Sequence, residues 1–138
     1  RRWYSTGMQI VIAFVVFCLD QGTKAIFRDT AVLNSGIGFG IGQSTSSLVA
    51  PLIVLAVVSA VQLYRNTPSK RSALTHWAWP LIFGGCVSNV VDRLRLGAVI
   101  DPFRLPIIGI HCNLADVAIV VGFVVLFVAS VQLGVRKR

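Results

Sequence analysis

Four long apolar runs, separated by short polar connections, dominate the chain. They cover about residues 7–27, 47–64, 73–95 and 113–133. A helix of roughly 20 apolar residues is long enough to cross the hydrocarbon core of a bilayer. The pattern therefore predicts an all-α membrane protein in which residues 1–138 form a single polytopic domain with four transmembrane helices. The first run follows two arginines, as in a secretory signal, but it shows no small-residue cleavage pattern, and we expect a retained helix.

Composition and charge agree with a membrane protein. Hydrophobic residues make up 55% of the chain and charged residues 13%, whereas soluble proteins carry about 25% charged residues. The formal net charge of +8 arises from basic clusters at residues 1–2, 65–71 and 136–138, which flank the apolar runs. Because these clusters do not form one solvated face, they argue against a nucleic-acid partner. The positive-inside rule places both termini and the middle connection in the cytoplasm.

Three of the four runs contain a pair of polar residues, and such residues are costly to place in hydrocarbon. The pairs are Asp20 and Lys24, Asn89 and Arg93, and Asn113 and Asp116. Each pair alone has a structural explanation: an ion pair at i,i+4, a polar helix face, or an N-cap followed by an acid. With the topology above and the rise of an α-helix, all three fall in one layer near the outer interface. This common depth favours a functional site.

Another aspartate, Asp101, lies in the outer connection between the third and fourth runs. Because it precedes Pro102, its backbone is biased away from helix toward an extended conformation. We expect an irregular return after it that could bring its carboxylate to Asp116. Two carboxylates that share a site cannot both ionise easily, so such a pair can activate water and protonate a leaving group. The sequence by itself leaves open whether the two meet.

The connection between the first and second runs has glycine at every other position from 36 to 42. A strand there would show apolar side chains on one face and only backbone on the other. This predicts a small extracytoplasmic β-like cradle, beside which a peptide could lie. A flexible loop explains the same glycines equally well.

Five short motifs in this order resemble the lipoprotein signal peptidase family, also called signal peptidase II. They are Asp20-Gln21-Gly22-Thr23-Lys24, Asn34-Ser35-Gly36, Gly84-Gly85 with Ser88-Asn89-Val90-Val91-Asp92-Arg93, Val99-Ile100-Asp101, and Asn113-Leu114-Ala115-Asp116. The resemblance covers the entire chain. Three positions depart from the family pattern, which bears on substrate preference and pocket shape: Ser88 replaces a glycine, Pro102 separates Asp101 from an aromatic residue, and Cys112 replaces an aromatic residue.

The resemblance implies an intramembrane aspartic endopeptidase that cleaves signal peptides from diacylglyceryl-modified prolipoproteins. It implies a multi-pass protein of the bacterial cytoplasmic (inner) membrane, with the site at the extracytoplasmic face. Asp101 and Asp116 match the catalytic pair, and neither a metal nor a cofactor is needed. The expected partners are prolipoproteins with a lipidated cysteine and membrane lipids. The residues that match supporting or substrate-binding positions are Asn34, Asn89, Arg93, Asn113, Asp20, Lys24 and Gly36.

Other functions are weighed against this one. A catalytically idle relative could serve as a structural subunit of a membrane complex with an unknown partner, but the retention of both aspartates argues against it. A small transporter would need a carboxylate near the midplane of a span, whereas the acids here lie in the outer half or beyond. A serine peptidase would need a nucleophile and a histidine base at matching depth, and the sequence contains no GxSxG motif.

Overall fold

Three long helices and four short strands carry the described part of the chain. In this computed structural model the described residues are 6–36, 54–55, 57–59, 61–62, 75–107 and 109–135. The helices are α1 (Thr6–Ile26), α2 (Thr75–Leu96) and α3 (Leu114–Val135). Their bounds lie within two residues of the first, third and fourth predicted spans. The predicted second span falls partly outside the described residues, and its described residues are helical.

α1 is apolar on its outside and charged on its inside. Among the described residues it is the one helix that is both long and apolar enough to cross a membrane, with a mean hydropathy of 1.5. Its buried residues are Asp20 and Lys24, whereas Ile10 and Phe14 are exposed. This is the reverse of an amphipathic helix on a soluble protein, and it is the arrangement expected where lipid surrounds a helix. The apolar part of α3 within the described range, Leu114–Ala129, is shorter.

α2 packs against both α1 and α3, and glycines allow the close approach. A Cβ on Gly84 would lie 2.5 Å from the carbonyl oxygen of Ala13 in α1. A Cβ on Gly85 would lie 2.6 Å from the carbonyl oxygen of Ala115 in α3. Small residues at helix contacts let backbones approach closely in membrane bundles. A buried apolar cluster fills the space beside these contacts and contains Val58, Ala78, Trp79, Ile82, Cys86 and Leu126.

Two short antiparallel sheets lie at one end of the helices. In the first, β1 (Val32–Asn34) pairs with β2 (Val99–Asp101), so that Val32 lies opposite Asp101. β1 belongs to the connection in which the cradle was predicted, but the alternating glycines after Gly36 lie outside the described residues. Gly97 ends α2 with a φ of 69°, which permits the immediate turn into β2.

The segment between Asp101 and Asn113 corrects one sequence prediction. Instead of an irregular return, it forms a hairpin of β3 (Phe103–Leu105) and β4 (Ile110–Cys112). Phe103 pairs with Cys112 and Leu105 with Ile110. The strands have three residues each, too few for a period-2 pattern to stand out, and Gly109, with a φ of 67°, closes the turn. The described fold is therefore mainly helical, and its strands lie both in the connection where a small β-like cradle was predicted and between α2 and α3.

Gly84→Ala should destabilise the protein, because the new methyl group would meet backbone that cannot move aside without separating α1 from α2. Overpacking of this kind costs about 1–3 kcal/mol. Thermal unfolding in a mild detergent measures the effect as a lowered Tm. The matched control is Gly22→Ala in α1, where a Cβ meets nothing within 4 Å, and where alanine should leave the Tm unchanged or raise it. Equal Tm values for the two variants would contradict the close contact.

Candidate active site

Asp101 lies at the end of β2, where two asparagine side chains hold its carboxylate. Because side chains alternate along a strand, Asn34 projects from the same face of the β1–β2 ladder as Asp101. Asn34 Nδ2 donates to Asp101 Oδ2 at 2.9 Å, and Asn113 Nδ2 donates to Asp101 Oδ1 at 2.7 Å. Asp101 is only 1% exposed. Burial raises the pKa of Asp101 above its ordinary value, although both hydrogen bonds act in the opposite direction.

Asp116 lies in the first turn of α3, which Asn113 caps. Asn113 Oδ1 accepts the backbone N–H of Asp116 at 2.8 Å, which confirms the predicted N-cap. Asn89 Nδ2 donates to Asp116 Oδ1 at 2.8 Å. The single amide of Asn113 therefore touches both acidic residues: its nitrogen binds the carboxylate of Asp101 and its oxygen binds the backbone of Asp116. The two carboxylates also interact electrostatically.

Lys24 lies in α1, is only 2% exposed, and connects α1 to α2. Its Nζ lies 2.6 Å from Asp20 Oδ2 and 2.7 Å from Asp92 Oδ2, and it donates to Asn89 Oδ1 at 3.0 Å. The predicted ion pair of Asp20 and Lys24 is thus confirmed. Because the amide oxygen of Asn89 is bound to the ammonium group, its NH2 group is directed to Asp116. Lys24 therefore orients the donor that reaches that carboxylate.

Asp20 extends the same network to the start of α3. Its Oδ1 accepts the backbone N–H of Ala115 at 2.8 Å, and its Oδ2 accepts the hydroxyl of Ser88 at 2.7 Å. A carboxylate at a helix N-terminus satisfies a free N–H group and interacts favourably with the helix dipole. Since Ala115 precedes Asp116, this contact fixes the backbone that carries the second acid.

Arg93 lies in the last turn of α2 and is 7% exposed. Its Nη2 donates to the carbonyl oxygen of Gly36 at 3.0 Å, and the Gly36 N–H donates to Asn34 Oδ1 at 2.9 Å. The guanidinium group interacts electrostatically with Asp101 and Asp116. Arg93 thus connects the beginning of the predicted cradle to the acidic pair.

The structure brings all nine sequence-predicted site residues into one connected hydrogen-bond and ion-pair network. No predicted residue lies apart from it. Within the described ranges, no group of three or more His, Cys, Asp or Glu side chains is arranged to hold a metal ion. The arrangement can perform acid–base chemistry, because it places two carboxylates, one buried and one half-buried, among amide donors and a guanidinium group.

A family model described as signal peptidase (SPase) II matches residues 12–132. The chain belongs to the signal peptidase II family. The resemblance drawn from the five motifs is therefore confirmed.

Curated relatives agree with this membership in the signal peptidase II family, and a solved structure shares the fold. The lipoprotein signal peptidase of Caldanaerobacter subterraneus subsp. tengcongensis is 31% identical over 134 residues, which cover 85% of this chain and 90% of that protein. That of Leifsonia xyli subsp. xyli is 33% identical over 169 residues, which cover all of this chain and 76% of that protein. A bacterial membrane enzyme solved by the in meso method at 2.3 Å resolution has the same fold, with a TM-score of 0.81 at 24% identity over 96% of this chain and 93% of that chain.

Three residues of the network were not among the predicted site residues. Asp92 is the second carboxylate on Lys24, and Gln21 Nε2 donates to Asp92 Oδ1 at 2.8 Å and to Ser88 Oγ at 2.9 Å. The sequence signal was present, because Gln21 and Asp92 lie inside two of the motifs. Their partners, however, are on another helix, and spacing along one helix cannot identify such contacts.

The departures from the family pattern have distinct structural positions. Ser88 is fully buried and joins Asp20 to Gln21, whereas Pro102 separates β2 from β3. Cys112 is buried opposite Phe103 in the hairpin. Burial raises the pKa of the Cys112 thiol, and the charges of Asp116 and Asp101 raise it further. The thiol is therefore protonated at neutral pH and adds no competing charge to the site.

Ser88→Ala should lower the free energy of unfolding, because Asp20 loses one of its donors and Gln21 loses one of its acceptors. Asp20 keeps Lys24 and Ala115, and Gln21 keeps Asp92. The expected cost is that of one lost hydrogen bond to a charged group, about 1.5–3 kcal/mol. Chemical unfolding in detergent, followed by circular dichroism, measures the change. Ser59→Ala is the control, since the Ser59 hydroxyl is exposed and donates to the carbonyl oxygen of Leu55 in its own helix turn. If both variants unfold like the wild type, the Ser88 hydroxyl does not stabilise the network.

Proposed function

We propose that this member of the signal peptidase II family cleaves signal peptides from diacylglyceryl-modified bacterial prolipoproteins, with Asp101 and Asp116 as its acid–base pair. The observation that carries the proposal is the Asn113 bridge between the two acids. Its short hydrogen bonds hold one carboxylate and the backbone of the other in a fixed relation. Acid–base catalysis needs groups that are positioned in this way before the substrate binds.

In the proposed reaction the pair carries one proton, since two carboxylates in a shared buried site do not both ionise easily. The ionised carboxylate accepts a proton from a water molecule, whose oxygen then attacks the scissile carbonyl carbon. The protonated carboxyl donates a hydrogen bond to the developing oxyanion, and a proton is then delivered to the departing amine. The reaction requires no group beyond these side chains and water.

The cations and amides around the pair have separate roles in this mechanism. Arg93 stabilises negative charge as the tetrahedral intermediate forms, because its guanidinium group interacts with both acids. Asn89 holds the side chain of Asp116. Asp20 and Lys24 act as positioning residues, since they reach Asp116 through Ala115 and Asn89.

The proposed topology is a single multi-pass domain with the site at the extracytoplasmic face of the inner membrane. Asp20 lies six residues before the last residue of α1, which corresponds to about 9 Å along the helix axis. The site is thus near the helix ends that lie far from the basic N-terminus. A diacylglyceryl anchor that stays among the lipid tails would present its cysteine at this depth.

Asp101→Asn and Asp116→Asn should each reduce cleavage by at least about 100-fold, the usual contribution of a general acid or base. The measurement is loss of the signal peptide from a diacylglyceryl-modified prolipoprotein, followed by gel shift with purified protein in lipid. Asp29→Asn is the control, because Asp29 is exposed outside the network, and it should cleave like the wild type.

Two outcomes would contradict the proposal in different ways. Near wild-type activity in either dyad variant would exclude that aspartate from catalysis. A folded wild-type protein that fails to cleave, while a reference signal peptidase II cleaves the same substrate, would favour the idle structural relative.

Asn34→Ala should shift the pH dependence of kcat toward higher pH. The Asn34 hydrogen bond stabilises the ionised carboxylate and opposes the effect of burial, so its removal raises the pKa of Asp101 further. The limb of the pH profile that depends on Asp101 therefore moves to higher pH, whether Asp101 acts as the acid or as the base. Thr30→Ala, an exposed change in the same connection, should leave the profile in place. A shift of the Asn34→Ala profile to lower pH would contradict the assigned contact.

A further inference from the structure

The β3–β4 hairpin has one apolar face and one cationic face. Residues that lie directly opposite each other in an antiparallel pair project from the same side, and successive residues alternate. Phe103 with Cys112 and Leu105 with Ile110 therefore form the apolar face. Arg104 with His111 forms the opposite face. The hairpin is amphipathic across its two faces.

Burial changes along the apolar face from the base of the hairpin to its tip. Cys112 at the base is buried, whereas Leu105 is 40% exposed and Ile107 in the turn is 96% exposed. The turn is fixed by the Gly109 N–H, which donates to the carbonyl oxygen of Leu105 at 2.9 Å. The protein thus holds a defined apolar tip away from its own core.

The base of the hairpin is attached to the end of the membrane-spanning helix. Phe103 contacts Phe27 edge-to-face, with ring centroids 5.9 Å apart, and Phe27 immediately follows α1. Each strand has three residues and is therefore about 10 Å long. Because Ile107 follows Phe103 by four residues, the tip lies at most about 14 Å from the residue that contacts Phe27 at the end of α1.

Basic side chains are exposed at the same end of the molecule. Arg104 lies on the hairpin, Arg28 follows Phe27, and Arg95 lies in the last turn of α2, and all three are exposed. Arginine beside exposed aliphatic groups matches the chemistry of a lipid interface, where phosphate groups lie above acyl chains.

We infer that the β3–β4 hairpin is embedded in the outer membrane–water interface, with Leu105 and Ile107 among the upper acyl chains and Arg104 at the lipid phosphates. The inference rests on the proposed topology and deepens the proposed function, because the hairpin begins two residues after Asp101 and ends one residue before Asn113. Its partner is the bilayer itself. Embedding the hairpin holds Asp101 and Asn113 at a set depth relative to the lipid anchor of a substrate.

Site-directed spin labelling tests this inference independently of cleavage. Ile107→Cys and Arg104→Cys are made in a Cys18→Ala parent, since Cys18 is exposed whereas Cys86 and Cys112 are buried. Each variant carries a nitroxide in vesicles of phosphatidylethanolamine and phosphatidylglycerol, and its collision rates with oxygen and with a water-soluble nickel chelate are measured. Val11→Cys on the exposed face of α1 supplies the acyl-chain reference. The unsubstituted parent measures background labelling.

At residue 107 we expect the ratio of oxygen to nickel accessibility to be close to that of the Val11 reference. At residue 104 we expect a lower ratio, close to that of a water-exposed label. Water-like ratios at both positions would overturn the inference, because the hairpin would then stand clear of the membrane. Lipid-like ratios at both would also overturn it, since Arg104 would not lie at the phosphates. The proposed peptidase activity can fail or succeed in the cleavage assay without changing these ratios.

Discussion

The buried ammonium group of Lys24 is the charge on which the arrangement of the helices depends. Taking an ammonium ion and two carboxylates out of water costs several kcal/mol for each ion, and this cost is offset only when the geometry is close and the remaining polar atoms are bonded. Lys24 meets that condition through Asp20, Asp92 and Asn89. These partners lie on both α1 and α2. The ammonium group of Lys24 is therefore fully paired only when the two helices pack with one relative rotation and one axial register.

That register then determines the position of α3. Asp20 satisfies the N–H of Ala115 at the start of α3, and Asn89 satisfies the carboxylate in its first turn. The glycine contacts act together with these bonds, since Gly85 lets α2 approach the carbonyl of Ala115. The second acid of the pair is thus held by a polar network that continues from Lys24, with the hydrophobic cluster supporting it from one side.

The features predicted correctly from the sequence depend on residues close together in the chain. The helix bounds follow from apolar runs, the Asp20–Lys24 pair from i,i+4 spacing, and the Asn113 cap from a polar residue before a run. Asp92 was not recognised as a partner of Lys24, because that contact depends on how α2 is rotated against α1. The β3–β4 hairpin was missed because its strands have three residues each, too few to show an alternating pattern in the sequence. Its stability depends instead on strand pairing and on the turn at Gly109. The return after Asp101 indicated only that its carboxylate could reach Asp116, and the match of the two to a catalytic pair came from family resemblance.

The β3–β4 hairpin joins Asp101 to Asn113, whose amide contacts both acidic residues. The β3–β4 ladder, extended by one residue, would place Pro102 opposite Asn113, so the hydrogen bond from Asn113 to Asp101 lies just beyond the last strand pair. A change in the length or turn of the hairpin would therefore alter the contact that joins the two acids. Since the same hairpin packs through Phe103 on Phe27 at the end of α1, it positions Asp101 and Asn113 relative to α1, while the network of Lys24 positions Asp116. Insertions there should accordingly be tolerated far less than in an ordinary surface loop, where added length costs little free energy.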